Sequence, residues 1–131
     1  MTHLALLWAT LAGAVLGSLA DWLFAGVLFH ERYKIYPEVW RPTDSDVRRV
    51  ILAQLTTLIT AGAFTLLAYR LGQVHLKNAL ALGATIWLIG PVPLLIGNGL
   101  FIKIDWVITA SHAAGWLVKL LLCGAAVAFF L

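Results

Sequence analysis

The chain has 131 residues, 62% of them hydrophobic and only 11% charged, with a formal net charge of +3. An average soluble domain carries roughly 25% charged residues, and a domain this short buries too little surface to hide so much apolar material. These proportions exclude an ordinary water-soluble globule and leave lipid as the solvent, in agreement with a mean hydropathy of +0.93. The basic residues are split among short connections, with no basic helix or ribbon, so no nucleic-acid partner is expected.

In chain order, the first apolar run spans Leu4–Phe29 and is interrupted by one carboxylate, Asp21. It has no Lys or Arg before it and runs too long for a signal core, so it is expected to be retained as a helix. Ala9, Gly13, Gly17 and Asp21 recur every four residues and share a face. Gly13 and Gly17 form the small-xxx-small spacing that lets helices approach closely, which puts Asp21 on the packing face.

The next stretch, 30–43, is an interfacial loop carrying Arg32, Lys34 and Arg41, with Tyr33, Tyr36 and Trp40 suited to the headgroup layer. Its Tyr-Pro-Glu-Val-Trp-Arg-Pro segment reads either as a plain connector or as a short element lying on the membrane. Thr43-Asp44-Ser45-Asp46 opens the second helix. Thr43 is the expected cap, Asp46 returns the bond, and Pro42 prevents an earlier start. Gly72 stands where a glycine ends that helix. Pro91 and Pro93 interrupt the third run and predict a kink or an unwound turn with freed carbonyls. Asp105 is the expected N-cap of the fourth helix. Only Lys103 and Ile104 separate the third and fourth apolar runs, so those helices are antiparallel neighbours. Cys123, the one cysteine, permits no internal disulfide.

The expected fold is therefore all-α. It is a single integral membrane four-helix domain over 1–131, with helices about 4–29, 44–71, 78–102 and 105–131 and the third kinked at Pro91/Pro93. Loop one, with Arg48 and Arg49 just beyond it, shares an end with Lys103, whereas the other end carries only Arg70 and Lys77. The positive-inside rule then places loop one in the cytoplasm and both termini outside, in a bacterial inner membrane.

Depth along the helices brings the polar residues together. At ~1.5 Å per residue from the loop-one end, Asp21 lies roughly 13 Å down, His112 roughly 10 Å, and Thr56 and Thr57 about 11 Å. Gln54 and Asn98 are slightly shallower. Asp105, Thr109, His112, Trp116 and Lys119 form one stripe on the fourth helix. The expected arrangement pairs Asp21 with His112, or with Gln54, Thr56 or Thr57. Lys119 lies nearer mid-membrane, with the carbonyls around Pro91-Val92-Pro93 as alternative partners. Trp22, Trp87 and Trp116 are deep enough to wall a pocket. His3, His30 and His75 lie at span ends on different sides, which is wrong for a metal site. No phosphate-cradling loop, nucleophile elbow or Cys-x-x-Cys is present, and no metal or cofactor is expected.

With these segments placed, the chain resembles the DUF1761 group of small bacterial membrane proteins. The glycine-rich first span carries the resemblance, with Asp21-Trp22-Leu23-Phe24-Ala25-Gly26-Val27-Leu28-Phe29 at its end. That segment looks like the family's aromatic W-Y-x-P-L-F-G segment, followed by an aromatic loop. This chain lacks the segment's proline, and Asp21-Trp22 replaces its aromatic pair. The resemblance covers the whole chain and implies a four-helix membrane fold. It implies no established activity and transfers no catalytic residue.

Three functions fit a polar layer inside such a bundle. The leading one is a non-enzymatic membrane protein, a homo-oligomer or an accessory subunit of a membrane complex, with the layer as glue. The second is a proton-coupled transporter or channel using Asp21, His112 and Lys119, with the proline break as hinge. The third is an enzyme acting on a lipid-like substrate with Asp21 and His112 as its acid and base. A sealed layer favours the first, access to Asp21 or Lys119 from one side the second, and a cavity ending on Asp21 and His112 the third.

Overall fold

A computed structural model describes residues 2–39 and 45–131. Among these, every regular element is helical: α1 (Thr2–Asp21), a π-helical segment (Trp22–Leu28), α2 (His30–Lys34), a 3-10 turn (Pro37–Val39), α3 (Asp46–Arg70), α4 (Leu76–Ile89), α5 (Pro91–Phe101) and α6 (Trp106–Phe130). Four stretches are long and apolar enough to cross a membrane: His3–Leu28, Val47–Arg70, Leu76–Phe101 and Trp106–Phe130.

Helix ends follow local chemistry. At the end of α3, Gly72 adopts φ +67°. Gln73 N–H then reaches Ala68 O at 2.8 Å and Gly72 N–H reaches Tyr69 O at 3.1 Å, the paired bonds of a Schellman ending. Asp105 caps α6, its Oδ1 accepting from Val107 N–H at 2.6 Å. The cap of α3 differs from expectation. Thr43 and Asp44 lie outside the described residues, and Ser45 takes the role, accepting from Arg48 N–H at 3.3 Å. The third span divides at Gly90 (φ −114°, ψ −84°), with Pro91 as the first residue of α5. Pro91 and Pro93 cannot donate to the carbonyls four residues earlier, which is why the ladder stops there.

The fourth span is the centre of the molecule and packs against each of the other three. Glycines set its spacing. A Cβ at Gly13 would meet Cys123 Sγ at 3.3 Å and Ala61 Cβ at 3.5 Å, and one at Gly17 would meet Lys119 Cγ and Thr57 Cγ2, both at 3.1 Å. So α1 runs antiparallel to both α3 and α6, and its small-residue face lies between them. On the other side, a Cβ at Gly83 would lie 2.9 Å from Leu120 O, and one at Gly124 2.8 Å from Ala79 O. There α4 and α6 touch backbone to backbone. The core around these contacts is small and well covered: Ala61, Phe64, Ala68, Ala79, Leu120, Cys123 and Val127. Trp87 ties the same pair, its indole N–H donating to Ala113 O at 2.7 Å. Trp22 instead faces outward, 64% exposed.

Candidate functional site

The ionic pair within the spans joins Asp21 to Lys119, not to His112. Lys119 Nζ lies 2.7 Å from Asp21 Oδ2, with the lysine side chain 8% exposed and the aspartate 36%. Thr57 Oγ1 donates to the same oxygen at 3.1 Å. The ammonium also sits 4.4 Å from the centre of the Trp116 ring, a cation–π contact. Side-chain direction explains the pairing. Helical side chains lean toward their own N-terminus. Asp21 therefore leans away from the loop-one end, while Lys119 and Thr57, on helices of opposite sense, lean toward it. His112 leans away from Asp21 and bonds through Nε2 to the Tyr33 hydroxyl of α2.

Gly17 makes room for this pair. The Lys119 stem and the Thr57 methyl both cross it. Replacing Gly17 by Ala is expected to push both partners off Asp21, at a cost of about 1–3 kcal/mol from overpacking. Urea unfolding in mixed micelles measures it, and an unchanged midpoint would show that the pair does not depend on that gap.

The other expected members of the layer part company. Gln54 borders the same cavity as Asp21. Thr56 is exposed and returns its hydroxyl to Ala53 O at 2.7 Å, so it faces away from the layer. Asn98 lines a different cavity nearer the loop-one end.

Two cavities lie in series. The inner one, of about 220 Å³, is bordered by Asp21, Gln54, Trp116, Phe24, Tyr33 and His112, with Ser111 and other small residues. The outer one, of about 360 Å³, is lined by Tyr33, Tyr36, Asn98, Lys103, Asp105, Thr109 and His112 on apolar Leu95, Ile104 and Ile108. Tyr33 and His112 border both, so their hydrogen bond stands between the two spaces. The phenol of Tyr33 is pushed up by burial, against a lowering by the Ser111 hydroxyl beside it.

Loop one is therefore no plain connector. Asp105 draws it in: Arg32 Nη2 lies 3.1 Å from Asp105 Oδ2, and the Tyr36 hydroxyl donates to the same oxygen at 3.0 Å. Burial works to raise the Asp105 carboxyl. The Val107 N–H, the Tyr36 hydroxyl, the Arg32 charge and the Ile108 N–H outweigh it and hold the group below its usual range. The same hydrogen bond, with the carboxylate's charge, raises the Tyr36 phenol. A depressed carboxyl contributes stability above its unfolded value and loses it as pH falls through the folded one. Acidification through the carboxylate range is thus expected to loosen loop one from α6, read as a fall in amide protection at Val107 and Ile108 relative to the intrinsic exchange rate at each pH. Asp105→Asn should show that low protection at neutral pH already. Protection in the wild type that is unchanged with acid would rule the tie out.

Tyr33, Tyr36 and Arg32 escape a reading by depth, because loop residues have no depth until the loop is docked. The signal that was present is the aromatic spacing of Tyr33 and Tyr36 beside Arg32.

Fold and site together define a four-span helical membrane protein with a charged pair inside its spans and a cavity leading to it. Residues 8–128 match the family described as "Protein of unknown function (DUF1761)", and the chain belongs to that family. No curated protein and no solved structure matches it.

Proposed function

We propose that the protein is a proton-coupled carrier of a small solute, working through the Asp21–Lys119 pair. One observation carries the reading: the pair is not sealed. Lys119 is buried, but Asp21 keeps 36% of its side chain open and borders the inner cavity. Charges within spans are costly and by default functional, and a structural pair would gain by closing off its carboxylate. His112 borders the same cavity, but its Nε2 is bonded to Tyr33 and not to Asp21, which favours a path past Tyr33 and His112 over an Asp21–His112 acid–base pair. Making and breaking the Asp21–Lys119 pair provides two states for one site. The groups facing the pair are Thr57 and Gln54 from α3, Trp116, His112 and Cys123 from α6, and Tyr33 from α2.

The division at Gly90 is the natural hinge. On the positive-inside reading the cavities open to the cytoplasm of a bacterial inner membrane, with both termini outside. A four-span carrier is expected to act as a homo-oligomer or beside other membrane subunits.

The test uses inverted membrane vesicles holding an energised pH gradient reported by a quenched dye. Small cations, carboxylates and sugars are added in turn. At least one class should collapse the gradient with wild-type protein and fail with Asp21→Asn, while Thr56→Val, on the outward face, behaves as wild type. If no class separates wild type from Asp21→Asn, the carrier reading is wrong.

A further inference from the structure

Resting on the carrier reading, we infer that the inner cavity is a site for a small organic ammonium, for which Lys119 is a tethered competitor. The inner cavity presents acceptors in need of donors. Both partners of Asp21, Lys119 and Thr57, bond to Oδ2, and no described residue bonds to Oδ1. Gln54 Oε1 is buried without a hydrogen-bond partner, and Gln54 borders the same cavity. A buried acceptor left unpaired is costly, and Gln54 Oε1 is one, whereas Asp21 Oδ1 is not buried. A ligand bearing N–H donors serves both at once.

The walls select charge. Trp116 and Phe24 border the cavity beside the carboxylate, and an aromatic face next to an anion favours a cation over a neutral donor. Lys119 already demonstrates the chemistry, since its primary ammonium satisfies Asp21 and lies over Trp116. The space of about 220 Å³ suits a few heavy atoms, so the ligand class is a short alkylammonium.

One carboxylate cannot neutralise two ammonium groups away from water. When a cation binds Asp21, Lys119 therefore gives up its charge. One proton leaves Nζ for the aqueous side as one cation arrives, and the net charge of the site is conserved. This makes the site an exchanger of cation for proton. The groups that share the proton's surroundings are Asp21 from α1, Thr57 from α3, His112 and Cys123 from α6 and Tyr33 from α2.

The experiment is a titration of purified protein in detergent with ethylammonium, read by tryptophan fluorescence, with acetamide as the neutral control. Wild type should bind ethylammonium and not acetamide, with affinity rising toward tenfold per pH unit near neutrality, as release of one proton requires. Lys119→Met, which keeps the stem and removes the competitor, should bind at least about tenfold tighter and lose the pH dependence. Asp21→Asn/Lys119→Met should not bind. Lys119→Ala gives the same comparison if the methionine packs poorly. Equal affinity in wild type and Lys119→Met, or binding that survives loss of Asp21, would overturn the inference. So would no binding by any folded variant. Collapse of the vesicle gradient by carboxylates or sugars but not by ammonium compounds would leave the carrier standing and remove the ammonium site alone.

Discussion

Alanine at Gly124 or Gly83 is expected to destabilise the protein against unfolding in mixed micelles by about 2–3 kcal/mol or more, near the upper end of overpacking costs. The new methyl would sit 2.8 Å from Ala79 O in the first case and 2.9 Å from Leu120 O in the second. Both obstacles are backbone, which cannot rotate aside as a side chain can. The fourth span must then shift away from α4, and helices in lipid have little besides close van der Waals contact to hold them together. Gly97 is the control. A Cβ there meets nothing within 4 Å, and it lies inside α5, so alanine should be neutral or gain up to about 1 kcal/mol of helix propensity. Equal effects at Gly97 and Gly124 would mean that the α4–α6 backbone contact is not what holds the third span in place.

Asp21→Asn is expected to destabilise the protein more than Lys119→Met, and the double variant to be more stable than Asp21→Asn alone. Breaking a buried ion pair by removing one partner costs about 3–5 kcal/mol, because the other charge is left uncompensated. The two partners are not equally buried. Lys119, at 8% exposure, would be stranded among packed side chains, whereas Asp21, at 36%, borders a cavity. The asparagine variant should therefore sit in that range and the methionine variant at or below its lower edge. A double-mutant cycle should give a coupling of about 1–3 kcal/mol for Asp21 with Lys119. Asp21 with His112→Asn should give clearly less, since His112 is committed to Tyr33. Strictly additive effects of Asp21→Asn and Lys119→Met would show that the pair contributes nothing as a pair.

The same two regions show how far the residues could be read without coordinates. The glycine face of α1 was legible, because Gly13 and Gly17 recur on the face that also bears Asp21, and a repeat of four is visible in the chain. The backbone contacts of Gly83 with Leu120 and of Gly124 with Ala79 were not. Those glycines sit in different spans, and only their docking reveals that each meets a carbonyl.

What the sequence by itself determined is local or compositional: lipid as solvent, four spans, the helix end at Gly72 and the Asp105 cap. Each follows from hydropathy over about 20 residues or from the backbone chemistry of one turn. Thr57 as a partner of Asp21 was also within reach, since depth alone places both in one slab. The choice of Lys119 over His112 was decided only by tertiary structure. Depth measured at Cα put His112 level with Asp21, but side chains lean toward their helix N-termini. On antiparallel helices that lean carries Asp21 and Lys119 toward one another and His112 away. Loop one was decided the same way. Nothing local to Arg32 or Tyr36 says that Asp105, some seventy residues on, will draw them over the bundle, because that contact exists only once the fourth span has been set beside the first.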